Sequence, residues 1–430
     1  MNVTISNSRI ENGELHFEIG GEEDYGFDKS YINAIRRVLL NDIPTVAFRT
    51  DEKEKYKDIT IVVNNTSLHN EMMLQRISLL PLYIDPEKYM KHHFFECKVK
   101  HDMKTPFQFI TSNDIDIYPL KDDFKLRIQN LYDESVETSE TEETTLKELL
   151  STHSPDNYTQ KPFTQKEKDK LFRPFEFRNK KHYCLLNELK NTNSDDTHQE
   201  LHFYGSPSIG TTEDHACFQS VSCATYSFTI HEELFESILQ EKIKLEKIEK
   251  KDEESFRKKL TLSESERYFH RDKDNEPYIY NFCIKSSHFY NSETLFQKSI
   301  LLLIDQFKDV KLAFLYLLQN KDSSIEVDQK NDYLYHYEIH NCDHTVGNVL
   351  QSHIVRRSIN EKSMLQLCGY KSPHPLVKSI LLIVSLNQNH KIMKEIETHK
   401  FQKITQFIMD QIEEIIQELY KIHAVAEKSL

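Results

Sequence analysis

The hydrophobic positions of residues 27–44 repeat with the period of an α-helix. Asp28 can cap the first turn, and Pro44 disfavours helical geometry at the residue before it. Arg36 and Arg37 lie on the opposite side from the apolar residues. The pattern predicts one amphipathic helix with a face to bury and a fixed positive charge to offer. Its apolar stripe contains Phe27, Tyr31, Ala34, Ile35, Val38 and Leu39.

The same pattern returns 315 positions further along the chain, in DHTVGNVLQSHIV. The aspartate and the asparagine that match lie outside the apolar stripe, so helical periodicity alone does not explain them. We interpret the match as a diverged internal duplication. The matching pairs are Asp28 and Asp343, Ser30 and Thr345, Tyr31 and Val346, Asn33 and Asn348, Ile35 and Leu350, and Leu39 and Ile354.

Two long amphipathic helices are predicted as well. One begins at a cap at Asn291, and the other carries apolar residues at alternating spacings of three and four from Phe401, including Ile408 and Ile415, to Ile422. Both copies then share an order of strands, a short capped helix, more strands and a long helix. Two such copies can bury their stripes against each other about a pseudo-twofold axis, which predicts an intramolecular dimer.

The remaining segments are mostly β-like, so we predict an α+β fold. Residues 1–20 alternate around a turn at Asn12-Gly13, and a helix capped near Ser67 runs into Pro81. The acidic, Ser- and Thr-rich stretch 134–157 is typical of a solvated loop or disordered insert. The expected domains are a split module (1–50 and 275–322), a mainly β insert (51–274, with a variable acidic insertion around 132–200) and a continuous second module (323–430).

Composition narrows the classes of function. A net charge of −14 and a pI near 5.9 argue against a general polyanion-binding surface. The longest apolar runs are too short to cross a bilayer, and the N-terminus carries no signal segment, so we expect an intracellular protein without a membrane partner. The cysteines are odd in number and form no CxxC pair, which favours reduced thiols and predicts no zinc site: Cys97, Cys184, Cys217, Cys223, Cys283, Cys342 and Cys368.

Several motifs resemble the α-type assembly subunits of multisubunit DNA-directed RNA polymerases. NAIRRVLLNDIPTVAF, NNTSLHNEMMLQRISLLPL, FITSNDI and SIGTTEDHACF make residues 1–322 similar to the larger partner, the archaeal D protein or the eukaryotic third subunit. DHTVGNVL and GYKSPHPL make the remainder similar to the smaller partner, the archaeal L protein or the eukaryotic eleventh subunit. The chain looks like the two fused, an arrangement similar to the polymerases of large DNA viruses of eukaryotes.

The resemblance implies a non-catalytic platform within a nucleotidyltransferase complex. It implies two large catalytic subunits and small accessory subunits as partners, with DNA and RNA contacted only through the complex and no homo-oligomer required. If the source is viral, it implies host cytoplasm or nucleus and the virion. It also implies a pairing interface of Phe27, Tyr31, Ile35, Leu39, Val346, Leu350, Ile354, Phe401, Ile408 and Ile415, and large-subunit contacts at Asn33, Arg36, Arg37, Glu71, Arg76, His215, Lys371 and His374.

The chain departs from this family in two places. Only isolated Cys97, Cys217 and Cys223 remain where some members carry a metal-binding cysteine cluster, so no cofactor or metal is expected. Residues 132–200 match no motif, and the chain has no tryptophan, although the family motif around DHACF usually has one.

Other interpretations of single residues remain. His215 and Cys217 could form a thiol–imidazole pair, but His215 is more simply a hydrogen-bonding loop residue and Asp343 a helix cap. Arg36 and Arg37 could lie on a solvated helix face. The alternative functions are an enzyme hidden in the insert and a free-standing adaptor that uses the pairing fold outside a polymerase.

Overall fold

The computed structural model describes residues 3–23, 27–50, 58–89, 93–102, 104–121, 158–191, 198–358, 364–387 and 399–430. Contacts divide the chain into two compact units. The first unit comprises Met1–Ile43, Val221–Ser286 and Asn291–Leu430, and the second comprises Pro44–Ser220 and Ser287–Tyr290. Both helices and sheets contribute, so the predicted α+β class is confirmed.

The elements are numbered in chain order. The strands are β1 (Thr4–Glu11), β2 (Glu14–Gly20), β3 (Thr45–Ala47), β4 (Ile59–Asn64), β5 (His93–Lys100), β6 (Phe107–Thr111), β7 (Ile115–Pro119), β8 (Phe175–Phe177), β9 (Lys180–His182), β10 (Leu185–Lys190), β11 (Glu200–Gly205), β12 (Ser208–Gly210), β13 (Val221–Phe228), β14 (Ile279–Ser286), β15 (Ile325–Asn331), β16 (Leu334–His340), β17 (Leu365–Lys371) and β18 (Ser379–Leu386). The helices are α1 (Lys29–Asn41), α2 (Asn70–Ser78), α3 (Gln165–Phe172), α4 (Glu232–Glu246), α5 (Glu253–Glu264), α6 (Ser292–Leu318), α7 (His344–Ser358) and α8 (Lys400–Ser429).

The first unit contains two copies of one arrangement. In the described residues, one antiparallel sheet has the strand order β1-β2-β14-β13 and the other has the order β15-β16-β18-β17. A short helix follows the first hairpin in each copy, α1 or α7, and a long helix ends each copy, α6 or α8. The two short helices begin 315 positions apart, at Lys29 and His344, which is the offset of the sequence match. This common order supports the internal duplication.

Each sheet turns one face toward its helices because side chains alternate along a strand. On β2 the inward residues Leu15, Phe17 and Ile19 are at most 2% exposed. Phe17 contacts Phe296 of α6 edge to face, with 4.8 Å between the ring centroids. In the second copy Tyr337 takes the inward place on β16 and packs on Phe314 of α6, at 5.7 Å. The core of the unit therefore lies between the two sheets and the four helices.

The division of the chain differs from the boundaries expected from sequence. The sequence assigns residues 221–274 to the insert, but β13 pairs with β14 along its whole length and lies in the first unit. The alternation of residues 221–228 predicts a strand without naming its partner, so sequence groups it with the preceding strands. Residues 229–278, which carry α4 and α5, connect β13 to β14.

The second unit is built mainly from strands. Among its described residues, β4-β11-β5-β7 form the largest sheet, with shorter pairings of β6 with β10, β3 with β12 and β8 with β9. Its hydrophobic core includes Phe48, Phe95, Ile117 and Phe203. A Cβ on Gly205 would lie 1.9 Å from the carbonyl oxygen of Asp58, so this strand end requires glycine.

Two sequence expectations for the second unit have different outcomes. The helix expected near Ser67 begins at Asn70, with His69 as an N-cap residue that makes no side-chain cap bond, so the Ser67 cap is wrong. The acidic stretch 134–157 lies outside the described residues. Within the predicted insertion around 132–200, residues 158–191 form α3 and β8 to β10. No helix of the described chain combines the length and hydropathy that a membrane span requires.

Candidate functional site

The short helices α1 and α7 pack against each other within the first unit. Ile35 and Leu350, which match at the duplication offset, are both fully buried. The long helices α6 and α8 also pack together, and Lys311 of α6 bonds Glu413 of α8 at 2.6 Å. Of the predicted pairing residues, Phe401 is half-buried against Tyr337, and the others are at most 3% exposed: Phe27, Tyr31, Ile35, Leu39, Val346, Leu350, Ile354, Ile408 and Ile415.

The contacts between α1 and α7 are reciprocal. Arg37 donates from Nη2 to Oδ2 of Asp343 at 2.7 Å, and Ser352 donates from Oγ to Oδ2 of Asp28 at 2.5 Å. Residue 352 lies 315 positions after Arg37, and Asp343 lies 315 positions after Asp28. Each helix thus places the same position of its surface on the same position of the other, as an isologous interface requires.

The two aspartates also cap their own helices. Oδ1 of Asp28 accepts from the backbone N–H of Ser30 at 2.9 Å, and Oδ1 of Asp343 accepts from that of Thr345 at 2.7 Å. Both predicted caps are therefore confirmed. Burial alone would raise the pKa of Asp343, but hydrogen bonds from Thr345 and Arg37 lower the pKa below its ordinary value. This carboxylate therefore stays charged at the interface.

A buried polar cluster crosses the interface beside the apolar stripe. The Tyr31 hydroxyl donates to Oε2 of Glu418 at 2.7 Å and lies 3.1 Å from Nδ1 of His353. Oε1 of Glu418 accepts from Arg357 at 2.5 Å. Burial and the neighbouring Glu418 raise the pKa of Tyr31 well above its ordinary value, so the phenol stays protonated and donates. Three helices, α1, α7 and α8, meet at this cluster.

Burial lowers the pKa of His353 to about 4, and the charge of Arg357 adds to the shift. The imidazole is therefore neutral near pH 7. The carboxylates that face it are Glu414, at 3.4 Å from Nε2, and Glu418, at 3.7 Å from Nδ1. Acid would charge a histidine that is 2% exposed and lies between the two copies.

The members of this cluster that come from the second copy do not stand out in the apolar pattern of the sequence. Glu418 is charged and so falls outside an apolar pattern, yet it lies three positions after Ile415 and four before Ile422, which is the spacing of the buried seam. His353 likewise lies three positions after Leu350. A charged or titratable residue at seam spacing was the available signal.

A third interface residue of the second copy was missed as well. Arg356 of α7 bonds Asp272 and lies 3.8 Å from Asp28. Asp272 comes from the connection between β13 and β14, which sequence assigns to the insert. The partner of this arginine could not be named without knowing that the connection belongs to the first unit.

Comparisons with known proteins agree with this geometry. A family model described as the RNA polymerase Rpb3/Rpb11 dimerisation domain matches residues 25–307, and a second model of the same description matches residues 335–422. The chain belongs to the RNA polymerase Rpb3/Rpb11 dimerisation-domain family. The predicted resemblance to fused α-type subunits is confirmed, since the two matches fall on the two copies.

Two curated relatives match parts of the chain. It is 31% identical over 109 residues to DNA-directed RNA polymerases I and III subunit rpac1 of Dictyostelium discoideum, a match that covers 25% of this chain. It is 30% identical over 73 residues to DNA-directed RNA polymerase subunit Rpo3 of Methanosphaera stadtmanae, which covers 17% of this chain. The chain spans 24% of the length of each relative. These relatives are RNA polymerase subunits of the Rpb3/Rpb11 type.

Arg37, a predicted large-subunit contact, lies in the pairing interface between the two copies. The resemblance predicts that its guanidinium faces a large subunit, but Nη2 bonds Asp343 and Nε donates to Oγ1 of Thr345 at 2.9 Å. Arg36 differs, because its Nε donates to Asn33 of the same helix at 3.1 Å. The two neighbouring arginines therefore have separate roles, one inside the pairing interface and one on the half-buried outer side of α1.

The two Rpb3/Rpb11 motifs of the second copy contact each other. A Cβ on Gly347 would lie 2.7 Å from the ring of Tyr370, so glycine lets α7 approach β17 closely. Nδ1 of His344 lies 3.2 Å from the Tyr370 hydroxyl. The predicted contact residues Lys371 and His374 follow Tyr370 and are exposed. One side of this motif thus packs the fold, and the other side is open.

The remaining predicted contact residues lie in the second unit. Glu71 and Arg76 are exposed on α2, and Arg76 donates to the carbonyl oxygen of Leu185 at 2.8 Å. Nδ1 of His215 accepts from the backbone N–H of Cys217 at 3.1 Å, so its interpretation as a hydrogen-bonding loop residue is confirmed. Burial raises the pKa of Cys217 to about 12, which leaves a protonated thiol that is a poor nucleophile.

Proposed function

We propose that this chain is a non-catalytic assembly platform of a DNA-directed RNA polymerase. The observation that carries the proposal is the reciprocal pair of contacts Arg37–Asp343 and Ser352–Asp28, which joins the two copies as an isologous dimer joins two subunits. Two Rpb3/Rpb11 matches in a single chain add to it. The pre-paired surface would nucleate the two large catalytic subunits and then accept the small accessory subunits.

Covalent fusion changes the thermodynamics of pairing. Residues 319–324 connect α6 of the first copy to β15 of the second. A connection this short turns a bimolecular step into an intramolecular one with an effective concentration on the order of millimolar. The platform would therefore be complete in every folded chain, without a search for a partner subunit.

The contact surface for the large subunits would lie where pairing leaves polar side chains accessible. In the first unit Asn33 and Arg36 lie together on α1, and Lys371 and His374 are exposed after β17. In the second unit the candidates are Glu71, Arg76 and His215. An arginine fork suits carboxylates or backbone carbonyls of a protein partner. The net charge of −14 favours such contacts over a direct nucleic-acid surface.

The test is co-purification with the large subunits after charge reversal at Arg36. Arg36→Glu removes an outward guanidinium without touching the Arg37–Asp343 pair, so pairing and folding stay intact. We expect the variant to purify as a folded monomer and to lose the large subunits. Arg9→Glu is the matched control, because Arg9 is exposed on β1 and its ion pair is with the nearby Glu11 of the same strand.

Undiminished recovery of the large subunits with Arg36→Glu would remove Arg36 from the contact surface. If the wild-type chain recovers no large polymerase subunit from its native source, the platform proposal fails and the free-standing adaptor is favoured. Catalytic activity of the isolated chain would favour an enzyme in the insert. The viral source, with transcription in host cytoplasm, nucleus or virion, stays a prediction from the fused arrangement.

A further inference from the structure

A cluster of metal-ligating side chains lies on the outer face of the first sheet, away from the paired helices. Alternation on β2 sends Leu15 and Phe17 into the core and leaves Glu14 and His16 on the other face. On the neighbouring strand β14, Cys283 is the direct cross-strand partner of His16. The register therefore brings a carboxylate, an imidazole and a thiol to one place.

The three ligand atoms lie at distances close to the edges of a zinc tetrahedron. Sγ of Cys283 is 3.8 Å from Oε2 of Glu14 and 3.9 Å from Nε2 of His16, and Nε2 of His16 is 3.5 Å from Oε2 of Glu14. Usual zinc–ligand bond lengths at tetrahedral angles give edges of about 3.3–3.6 Å. Small side-chain rotations would shorten these three distances enough for the three atoms to bind one ion.

A second thiol stands beside the first. Cys223 on β13 interacts directly with the thiol of Cys283. It lies on the same outer face, because its cross-strand partner is Lys285, two residues after Cys283. Its sulfur stands outside the compact group of three, so a side-chain rotation would bring it in as the fourth ligand that characterises structural zinc sites.

An outer partner holds the carboxylate in place. Lys285 donates from Nζ to Oε1 of Glu14 at 3.1 Å, which leaves Oε2 directed at Cys283 and His16. Such a hydrogen bond to a ligand's remaining atom is what orients ligands in metal sites. A cavity of about 590 Å³ on this face, lined among others by His16, Thr225 and Cys283, gives an entry path for the ion.

We propose that Glu14, His16 and Cys283, with Cys223 as fourth ligand, bind one zinc ion. Thiolate and imidazole favour zinc over magnesium or calcium, which take oxygen ligands. The site goes beyond the platform function and revises the expectation of no metal. The ion would tie β2, β13 and β14 together and so fasten the N-terminal hairpin to strands that are more than 200 residues away in sequence.

The test is metal binding by the purified full chain under reducing conditions. After removal of metal with a chelator, competition titration against a chromophoric chelator measures zinc stoichiometry and affinity. We expect about one zinc per chain, as for a single tetrahedral site. Loss of a residue that only orients a ligand lowers metal affinity by roughly 10–100-fold. We expect His16→Gln and Cys283→Ser, which remove ligands themselves, to lower the affinity for zinc by more than this.

Cobalt substitution reports the ligands directly. A thiolate-to-cobalt absorption band should be present in the wild type, decrease in Cys223→Ser and disappear when both cysteines are replaced. Cys184→Ser is the matched control, because Cys184 is an exposed free thiol of the second unit, and it should leave both readouts unchanged. Circular dichroism checks that each variant is folded.

Three results would overturn the site. The first is a folded wild-type chain that takes up no zinc or cobalt at micromolar concentration, and the second is an affinity unchanged by both His16→Gln and Cys283→Ser. The third is a Cys223–Cys283 disulfide that persists in protein purified with reductant, because it would consume both thiols. Mass spectrometry without a further reduction step would detect it. Full affinity in Cys223→Ser would contradict the four-ligand form.

Discussion

The two copies of the pairing module share a strand order but differ in what their connections carry. In the first copy, residues 42–220 separate α1 from β13, and residues 229–278 separate β13 from β14. In the second copy, the corresponding connections are residues 359–364 and 372–378. The helix faces that pair are common to both. Large additions are therefore tolerated where the chain leaves the sheet, because the apolar pairing stripes come from the helices and not from those connections.

The largest expected effect tests whether the two copies contribute equally to pairing. Ile35→Ala and Leu350→Ala remove matched, fully buried side chains. Each should lower the free energy of unfolding by about 2–5 kcal/mol, since both leave a cavity in the same interface. Chemical denaturation measures the change. Ile10→Ala, at an exposed site on β1, serves as control. A large loss in only one of the two variants would show that the symmetry of contacts does not extend to energy.

A buried histidine at this position of the pairing helix occurs in the second copy only. His353 has Val38 as its counterpart at the duplication offset, and its pKa of about 4 in the folded chain lies below the ordinary value of 6.5. The unfolded chain therefore binds more protons between these values, so stability is complete above pH 6.5 and falls as the pH drops toward 4. The loss should reach about 3 kcal/mol.

Denaturation midpoints measured from pH 7 to pH 4 give this dependence. His353→Val installs the first copy's residue and should remove most of the slope. A slope that is the same in wild type and variant would assign the acid sensitivity to other groups.

Tyr31→Phe sharpens the comparison at the level of one hydroxyl. The counterpart of Tyr31 is Val346, so the hydrogen bond to Glu418 exists on one side of the pseudo-twofold axis only. Its removal leaves a buried carboxylate oxygen without this donor and should cost about 1–3 kcal/mol. Val346→Ala, without a polar partner, is the comparison variant. If Tyr31→Phe is neutral, Arg357 alone satisfies Glu418.

The smallest effects are expected at the reciprocal contacts. Ser352→Ala removes one hydrogen bond to Asp28 and should cost about 0.5–1.5 kcal/mol. Arg37→Ala breaks a partly exposed ion pair, with side chains 29% and 38% exposed, and should cost about 0.2–1 kcal/mol. Thermal unfolding at low and high salt distinguishes the effects of the two variants, because salt screens the ion pair far more strongly than the hydrogen bond. Equal salt dependence in both variants would contradict this division.

Sequence alone accounts for much of the pairing and less of its polar chemistry. Nearly all of the pairing residues predicted from the periodicity of α1, α7 and α8 are buried. Sequence can predict them because apolar spacing depends only on local geometry. It could not identify the partner of β13, since strand pairing is set by tertiary contacts. It also placed Arg37 with Arg36, although Arg37 follows the buried Ser30 and Ala34 along one edge of the helix and so reaches the other copy.

The candidate sites show the same limit. The metal-ligating cluster joins residues 14–16 to residues 223 and 283, and only the strand register brings them together. Spacing rules for zinc motifs compare near neighbours in sequence and therefore pass over such a set. The capping roles of Asp28 and Asp343 were predictable, because a cap and its helix are adjacent in the chain.

The interruption of the first sheet has a consequence for how the molecule is made. β2 ends at Gly20, and its neighbour β14 begins at Ile279. More than 250 residues must therefore be synthesised after β2 before the two strands can pair. Most of the second unit, residues 44–220, lies between them in sequence and can fold first, as domains do during synthesis. Pairing of the two copies can then be completed only after α8, the last of the described helices, has been synthesised.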